Sequence, residues 1–120
     1  MSRAFFIAAV IYGFLGLLLG LQMAISHDHS QMPTHAHMQV LGWLSFFAFG
    51  IYYHLIPSTT GSFLAKVHFW LAQITAPIML IGLYGLSGSM PQLEPLAAGG
   101  AVIYTISFAC FALVVIRHRG

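Results

Sequence analysis

The chain alternates between long apolar stretches and short polar breaks. Crossing the hydrocarbon core of a membrane takes about 20 apolar residues in a helix, and four stretches reach that length. They cover residues 4–25, 37–56, 63–86 and 96–116. The breaks between them carry proline, glycine and serine, which is typical of turns. The pattern predicts an all-α membrane protein, with four transmembrane helices in an up-down bundle that forms one domain over residues 1–120.

The composition supports a membrane protein over a soluble domain. Hydrophobic residues make up 59% of the chain and charged residues only 5%, with a mean hydropathy of +0.89. Membrane lipid is therefore the expected surrounding. The four cations are too few for the basic surface that nucleic acid requires, so no nucleic-acid partner is expected.

The charged residues predict an orientation. All Lys and Arg residues fall on one side of the predicted membrane, and both acidic residues fall on the other. The cations are Arg3, Lys66, Arg117 and Arg119, and the acids are Asp28 and Glu94. The positive-inside rule then places both termini in the cytoplasm and the loop 26–36 outside. In a bacterium the membrane is the inner membrane and this loop is periplasmic.

Small residues indicate where helices approach each other. Gly16 and Gly20, with Gly13 one turn earlier, form a GxxxG-type face on the first span. Such faces let two helix backbones come close together. We expect this face to serve helix packing.

Two histidines, His35 and His37, stand where the second span begins. At ~100° per residue, His35 shares a helix face with several glycines and aromatic residues further along. This face comprises Gln39, Gly42, Phe46, Phe49, Gly50 and Tyr53. A ligand, missing side chains and apolar walls along one face suit a flat macrocycle such as haem. His37 is rotated by roughly 200° and points the other way, so the two imidazoles serve separate sites or are hydrated, non-ligand residues at the interface.

Four further histidine positions admit other sites. His54 and His68 are expected at a similar depth near the cytoplasmic boundary, where they could share a metal, relay protons or bond to backbone carbonyls. In the outer loop, His27 and His29 lie near Asp28 and methionines, and imidazole with thioether suits copper whereas imidazole with carboxylate suits zinc. Pro33 is expected to separate that loop from the second span.

A family resemblance adds to the reading of the second span. Residues 35–61, HAHMQVLGWLSFFAFGIYYHLIPSTTG, resemble a helix of the NnrS family of membrane proteins and the second helix of haem–copper oxidase and nitric oxide reductase catalytic subunits. The shared positions are His35, His37, Gly42, Gly50, Pro57 and the Thr60-Gly61 pair. The resemblance implies that His35 is an axial ligand of a low-spin haem b, with Gly42, Phe46 and Gly50 beside the cofactor.

The same resemblance bears on assembly. Those catalytic subunits contain three similar four-helix arcs around a pseudo-threefold axis, and a His-x-His in one of their helices ligates two different haems. A homotrimer of this four-span chain would copy that architecture, with each haem held by His35 of one protomer and His37 of its neighbour. A dimer is the competing arrangement. One chain lacks the complete set of ligands for a haem–copper active site, so an enzymatic activity is not assigned.

Three functions follow from these observations. The preferred one is a haem b-binding membrane protein that transfers electrons or performs redox chemistry linked to a diatomic gas, with an unknown redox partner. The first alternative is a copper- or zinc-binding membrane protein that uses the outer loop. The second is a non-catalytic assembly subunit whose histidines are incidental.

Overall fold

The computed structural model of this protein describes residues 1–118. Its regular structure is entirely helical, and residues 1–118 contain no strand. The α-helices are α1 (Ser2–Ser26), α2 (Met32–His37), α3 (Ser45–Leu55), α4 (Phe63–Ser87) and α5 (Glu94–Arg117). A π-helical segment (Met38–Leu44) joins α2 to α3, and short 3-10 helices (Pro57–Gly61 and Pro91–Leu93) precede α4 and α5. The all-α prediction is confirmed. Arg119, one of the cations used to predict the orientation, lies outside the described residues.

Three of the four predicted spans each correspond to one long helix. Helices α1 and α4, and the segment Pro91–Arg117 that contains α5, are long and apolar enough to cross a membrane. The predicted bounds 4–25, 63–86 and 96–116 agree with α1, α4 and α5 to within two residues at each end.

The second span is a composite helix formed by α2, the π-helical segment and α3 in one continuous run. The backbone stays right-handed and helical at both junctions, His37 and Ser45. This composite helix begins at Met32, ahead of the predicted start at His37. Pro33 stands in its first turn, where a fixed φ suits a helix start and no N–H donor is needed. The prediction that Pro33 separates the loop from this span is therefore wrong.

Local chemistry fixes two of the helix ends. His27 ends α1 in the left-handed conformation, with φ of 57°. The Ser62 hydroxyl oxygen accepts a hydrogen bond from the Ala65 N–H at 3.2 Å and caps the start of α4. These ends turn the chain so that consecutive helices run antiparallel.

Helix α1 packs along the composite helix through its small residues. A Cβ atom added at Gly16 would meet the Gln39 side chain at 2.5 Å, and one added at Gly20 would lie 2.8 Å from the His35 ring. Side chains of the composite helix thus occupy the space that the glycines leave. The predicted packing role of this GxxxG face is confirmed.

Helices α4 and α5 form the second closely packed pair. A Cβ atom added at Gly82 would collide with the backbone of Ala97. One added at Gly100 would lie 2.8 Å from the Cα atom of Met79. The two backbones come close enough that neither glycine leaves room for a side chain.

The buried core is aromatic and lies toward the end of the bundle that carries the termini. Its largest members come from every long helix: Phe5, Phe46, Phe49, Tyr53, His68 and Tyr104. The rings pack edge-to-face, stacked or tilted, with centroids from 4.5 Å (Phe49 and His68) to 6.5 Å (Phe46 and Tyr104) apart. Because the rings fill this end, the histidine pair at the other end stands outside the aromatic core.

Candidate functional site

The π-helical segment begins directly after His37. Two of its backbone carbonyls accept side-chain hydrogen bonds: the Tyr104 hydroxyl donates to the Leu41 carbonyl at 2.8 Å, and the Ser45 hydroxyl donates to the Val40 carbonyl at 2.8 Å. π-Helical turns are rare and frequently occur at functional sites. The π-helical segment therefore marks the end of the composite helix that carries His35 and His37 as a candidate site.

His35 is held by α1. Its Nδ1–H donates to the Gly16 carbonyl oxygen at 2.7 Å, and its ring lies over Gly20. A carbonyl oxygen can only accept, so the neutral imidazole carries its proton on Nδ1 and its lone pair on Nε2. Helix α1 thereby orients the ring and, through Gly20, makes room for it.

His37 is held by its own helix. Its Nδ1–H donates to the Pro33 carbonyl oxygen one turn earlier, again at 2.7 Å. The same reasoning leaves the Nε2 lone pair free. Histidines that bind metals characteristically donate their other ring N–H to a carbonyl or carboxylate, which fixes both the tautomer and the ring orientation. In both imidazoles Nδ1 is bonded to a carbonyl oxygen and Nε2 is the nitrogen that remains for another partner.

The two imidazoles contact different parts of the molecule. His35 faces α1, whereas His37 lines a groove of about 370 Å³ beside α4 and α5. The other residues along this groove are Leu41, Met79, Ala101, Tyr104, Thr105, Phe108 and Ala109. Most of this lining is apolar, and the Tyr104 hydroxyl is bonded to the π-helical segment. The volume of this groove lies within the range of small-molecule sites.

Three other predicted cofactor residues lie inside the bundle instead. A Cβ atom at Gly42 would lie 2.7 Å from Tyr12, and one at Gly50 would lie 2.8 Å from Phe6. Phe46 has no exposed surface. Rings from α1 fill the space that the two glycines leave, so the part of this face between Gly42 and Gly50 offers no room for a macrocycle. The prediction that these three residues line the cofactor is corrected: they form the packed interior of the protomer.

The predicted pair of His54 and His68 is not brought together as a metal site. His68 has no exposed surface, and its Nδ1 lies 2.9 Å from the Tyr53 hydroxyl. His54, the next residue after Tyr53, is exposed and lies beside Phe6, with ring centroids 6.5 Å apart. Neighbouring residues of a helix point about 100° apart, so only one of the two can face His68. Tyr53 takes that place.

The outer loop does not form the predicted copper or zinc site. His27 and His29 are both exposed, and the ring of His29 contacts the His27 carbonyl at 3.3 Å. The Asp28 carboxylate accepts a hydrogen bond from the Ser30 N–H at 3.0 Å, and hydrogen bonding to Ser30 holds the pKa of Asp28 below its usual range. Over residues 1–118, no group of three or more His, Cys, Asp or Glu side chains is placed to hold a metal ion.

Sequence reasoning missed the groove residues contributed by α4 and α5. One signal was present: Ala101, Thr105 and Ala109 recur every four residues along α5 and form a stripe of small side chains on one face. That stripe leaves space opposite His37, and Met79 and Phe108 close its sides. Which helix would face the stripe could not be read from the sequence.

Comparison of the chain with protein-family models, with curated proteins and with solved structures found no significant match.

Proposed function

We propose that this chain is an integral membrane protein that binds haem b between copies of itself and transfers electrons. His37 of one copy and His35 of the next are the proposed iron ligands. Both termini are proposed to be cytoplasmic, with the histidine end of the bundle at the outer face of a bacterial inner membrane.

The observation that carries the proposal is the state of His37. Its Nδ1–H is bonded to the Pro33 carbonyl at 2.7 Å, and the residue lines an apolar groove of about 370 Å³. An imidazole with a free Nε2 lone pair in apolar surroundings is the arrangement that haem iron requires of a histidine ligand. A hydrated histidine with no ligand role at the membrane interface would need neither an apolar groove nor a fixed tautomer.

The groove residues fit one side of a haem. Leu41, Met79 and Phe108 supply apolar walls that exclude water, and Ala101 and Ala109 leave depth between them. This lining supplies one wall and one imidazole, and in the proposal a second copy supplies the opposite wall and the second imidazole. His35 is two residues from His37 on the same helix, at nearly the same depth, and its Nε2 is also free.

Closed rotational symmetry makes this pairing repeat at every interface. We favour three copies over two because three four-helix protomers would reproduce the arcs of the catalytic subunits that the second span resembles. Iron held by two imidazoles has no open coordination position, so the chemistry supplied by the bound group is one-electron transfer. Gly16 and Pro33 contribute by orienting the two ligand rings through their carbonyl oxygens.

The absorption spectrum of the purified protein tests the proposal. We expect a Soret band and the spectrum of six-coordinate, low-spin haem b. His35→Ala and His37→Ala should each lose most of the haem, because each removes one ligand at every interface. His54→Ala is the matched control, since His54 is exposed at the far end of the same composite helix, and it should retain wild-type haem content.

Mixing the two ligand variants tests whether the haem lies between copies. A mixed oligomer of His35→Ala and His37→Ala protomers has some interfaces at which both ligands are present, so part of the haem should return. A colourless wild-type protein, a five-coordinate high-spin spectrum, or a monomer with full haem content would contradict the proposal.

A substitution in the groove tests the site without touching a histidine. Ala101→Phe fills the groove and should lower haem content, whereas Ala98→Phe changes an exposed position of α5 that does not line it. Equal haem content in these two variants would remove the groove from the proposed site.

A further inference from the structure

The end of the bundle away from His35 and His37 contains a cavity that the proposed function does not use. This cavity has a volume of about 640 Å³ and lies between the turn before α4 and the end of α5. Its lining residues are Thr59, Ser62, Phe63, Leu64, Val114, Arg117 and His118. The lining combines a cation and hydroxyl groups with apolar side chains, so it is amphipathic.

The polar part of the lining is rich in hydrogen-bond donors. Arg117 supplies a guanidinium group, which binds phosphate in a planar, bidentate geometry. Ser62 accepts the Ala65 N–H through its oxygen, so its hydroxyl hydrogen is free to donate into the cavity. His118 adds a ring N–H. Donors of this kind, clustered around a cation, fit an anion that carries several acceptor oxygens.

The protein has no acidic side chain at this end to neutralise Arg117. Its two acidic residues are Asp28, which follows α1, and Glu94, which begins α5. Arg117 is the last residue of α5. At 1.5 Å per residue, the length of α5 separates Glu94 from Arg117 by roughly 34 Å, which is well beyond a Debye length at physiological salt. Neither acidic side chain is therefore near Arg117, which is exposed.

The apolar part of the lining points to an amphiphile rather than a small anion. Phe63 is 79% exposed at the start of α4, and Leu64 and Val114 extend the apolar wall from the two neighbouring helices. A free phosphate would gain nothing from these side chains, whereas an acyl chain would cover them. The lining therefore offers a cation and hydroxyl groups to a headgroup phosphate and apolar side chains to an acyl chain.

We infer that this cavity binds one anionic glycerophospholipid, with its phosphate at Arg117 and Ser62 and an acyl chain along Phe63, Leu64 and Val114. The cytoplasmic leaflet carries anionic lipids, and basic residues near its surface each contribute to binding them. This site does not depend on the proposed haem. It lies at the opposite end of the bundle and shares no residue with the groove at His37.

Native mass spectrometry of the purified full chain tests the inference. The protein is equilibrated with equal amounts of phosphatidylglycerol and phosphatidylcholine that have the same acyl chains, and the lipid retained after gentle detergent release is identified. We expect the wild type to retain phosphatidylglycerol in preference. Arg117→Gln should reduce that preference about fivefold, because it removes one cationic contact.

Arg3→Gln is the matched control, because Arg3 is exposed at the start of α1 and does not line the cavity. It should keep the wild-type preference. Phe63→Gln should lower the retention of both lipids, since it removes an apolar contact without changing the charge. Circular dichroism verifies that each variant keeps its helical content.

Three results would overturn the inference. If Arg3→Gln loses the preference as strongly as Arg117→Gln, the binding is a diffuse charge effect and not a site. If inorganic phosphate at millimolar concentration displaces phosphatidylglycerol, the cavity is a simple anion site. An unchanged preference in Arg117→Gln would likewise remove Arg117 from any lipid site.

Discussion

At the scale of single residues, His68 depends on its neighbours for hydrogen bonds, because it is a polar side chain with no exposed surface. The imidazole is fully buried among aromatic rings, with Phe49 at 4.5 Å and Phe111 at 5.0 Å between centroids. The Tyr53 hydroxyl bonds to Nδ1, and Nε2 has no hydrogen-bond partner within the described part of the chain. A buried polar group without a partner destabilises the folded state by about 1–3 kcal/mol. The single bond from Tyr53 therefore matters more than an average hydrogen bond.

Replacing Tyr53 tests this dependence. Tyr53→Phe removes the partner of His68 Nδ1 and should lower the free energy of unfolding by about 1 kcal/mol or more, because it leaves both ring nitrogens unpaired. Tyr52→Phe is the control, since the neighbouring Tyr52 hydroxyl is buried without a partner and its loss removes no bond. Denaturant unfolding in detergent micelles measures both. Equal destabilisation by the two variants would contradict the assigned role of Tyr53.

The pair His35 and His37 differs from His68 in the exposure of the ring nitrogens that have no hydrogen-bond partner. His35 and His37 each bond to one carbonyl oxygen through Nδ1, and both remain partly exposed. Each keeps a free Nε2 lone pair without being buried, so the unused atom carries little energetic penalty. Such a nitrogen is available to a ligand.

At the scale of helices, the bundle consists of two closely packed pairs. Helix α1 packs on the composite helix through Gly16 and Gly20, and α4 packs on α5 through Gly82 and Gly100. Between lipid-exposed helices there is little hydrophobic driving force, so close van der Waals packing at small residues stabilises association. The glycines determine which faces meet.

Two adjacent glycines of α5 provide a matched test. Gly100→Ala places a Cβ atom 2.8 Å from Met79 Cα and should destabilise the fold by about 1–3 kcal/mol, because backbone cannot move aside easily. A Cβ atom at Gly99 meets nothing within 4 Å, so Gly99→Ala should be neutral or stabilising by up to about 1 kcal/mol through helix propensity. Unfolding free energies of the two variants give the comparison. A neutral Gly100→Ala would show that α4 and α5 separate readily.

At the scale of the whole molecule, charge is divided between the two ends of the bundle. Arg3 begins α1 and Lys66 lies in the first turn of α4, while Asp28 follows α1 and Glu94 begins α5. Successive antiparallel helices place the first two at one end and the last two at the other. The proposal that the cationic end is cytoplasmic depends on this division of charge and on the positive-inside rule.

Cysteine labelling tests this orientation. In a Cys110→Ala background, Ser30→Cys should react with a membrane-impermeant maleimide added to spheroplasts, because it lies in the outer loop. Ser58→Cys is equally exposed but belongs to the turn at the opposite end, and it should react only after the membrane is opened. The reverse pattern of labelling would invert the proposed topology.

The sequence by itself determined the helices and the end to which each charge belongs. Both depend on properties that are local in the chain. The length of an apolar stretch decides whether it can span a membrane, because backbone polar groups in lipid must bond within their own helix. The position of a charged residue in the sequence decides which end of a helix carries it. The π-helical segment and the start of the composite helix at Met32 were not predicted. The projection of His35 and His37 to different faces also followed from local geometry.

Only the tertiary structure decided what covers each face. In the sequence, Gly42 and Gly50 are equally consistent with space for a cofactor and with space for a neighbouring helix. In the structure, the rings of Tyr12 and Phe6 fill that space. In the same way, the groove at His37 needs residues of α5 that lie more than 60 positions away in the chain. The side-chain pattern of one helix shows which face is apolar, but the partner depends on the summed packing of all helices at once.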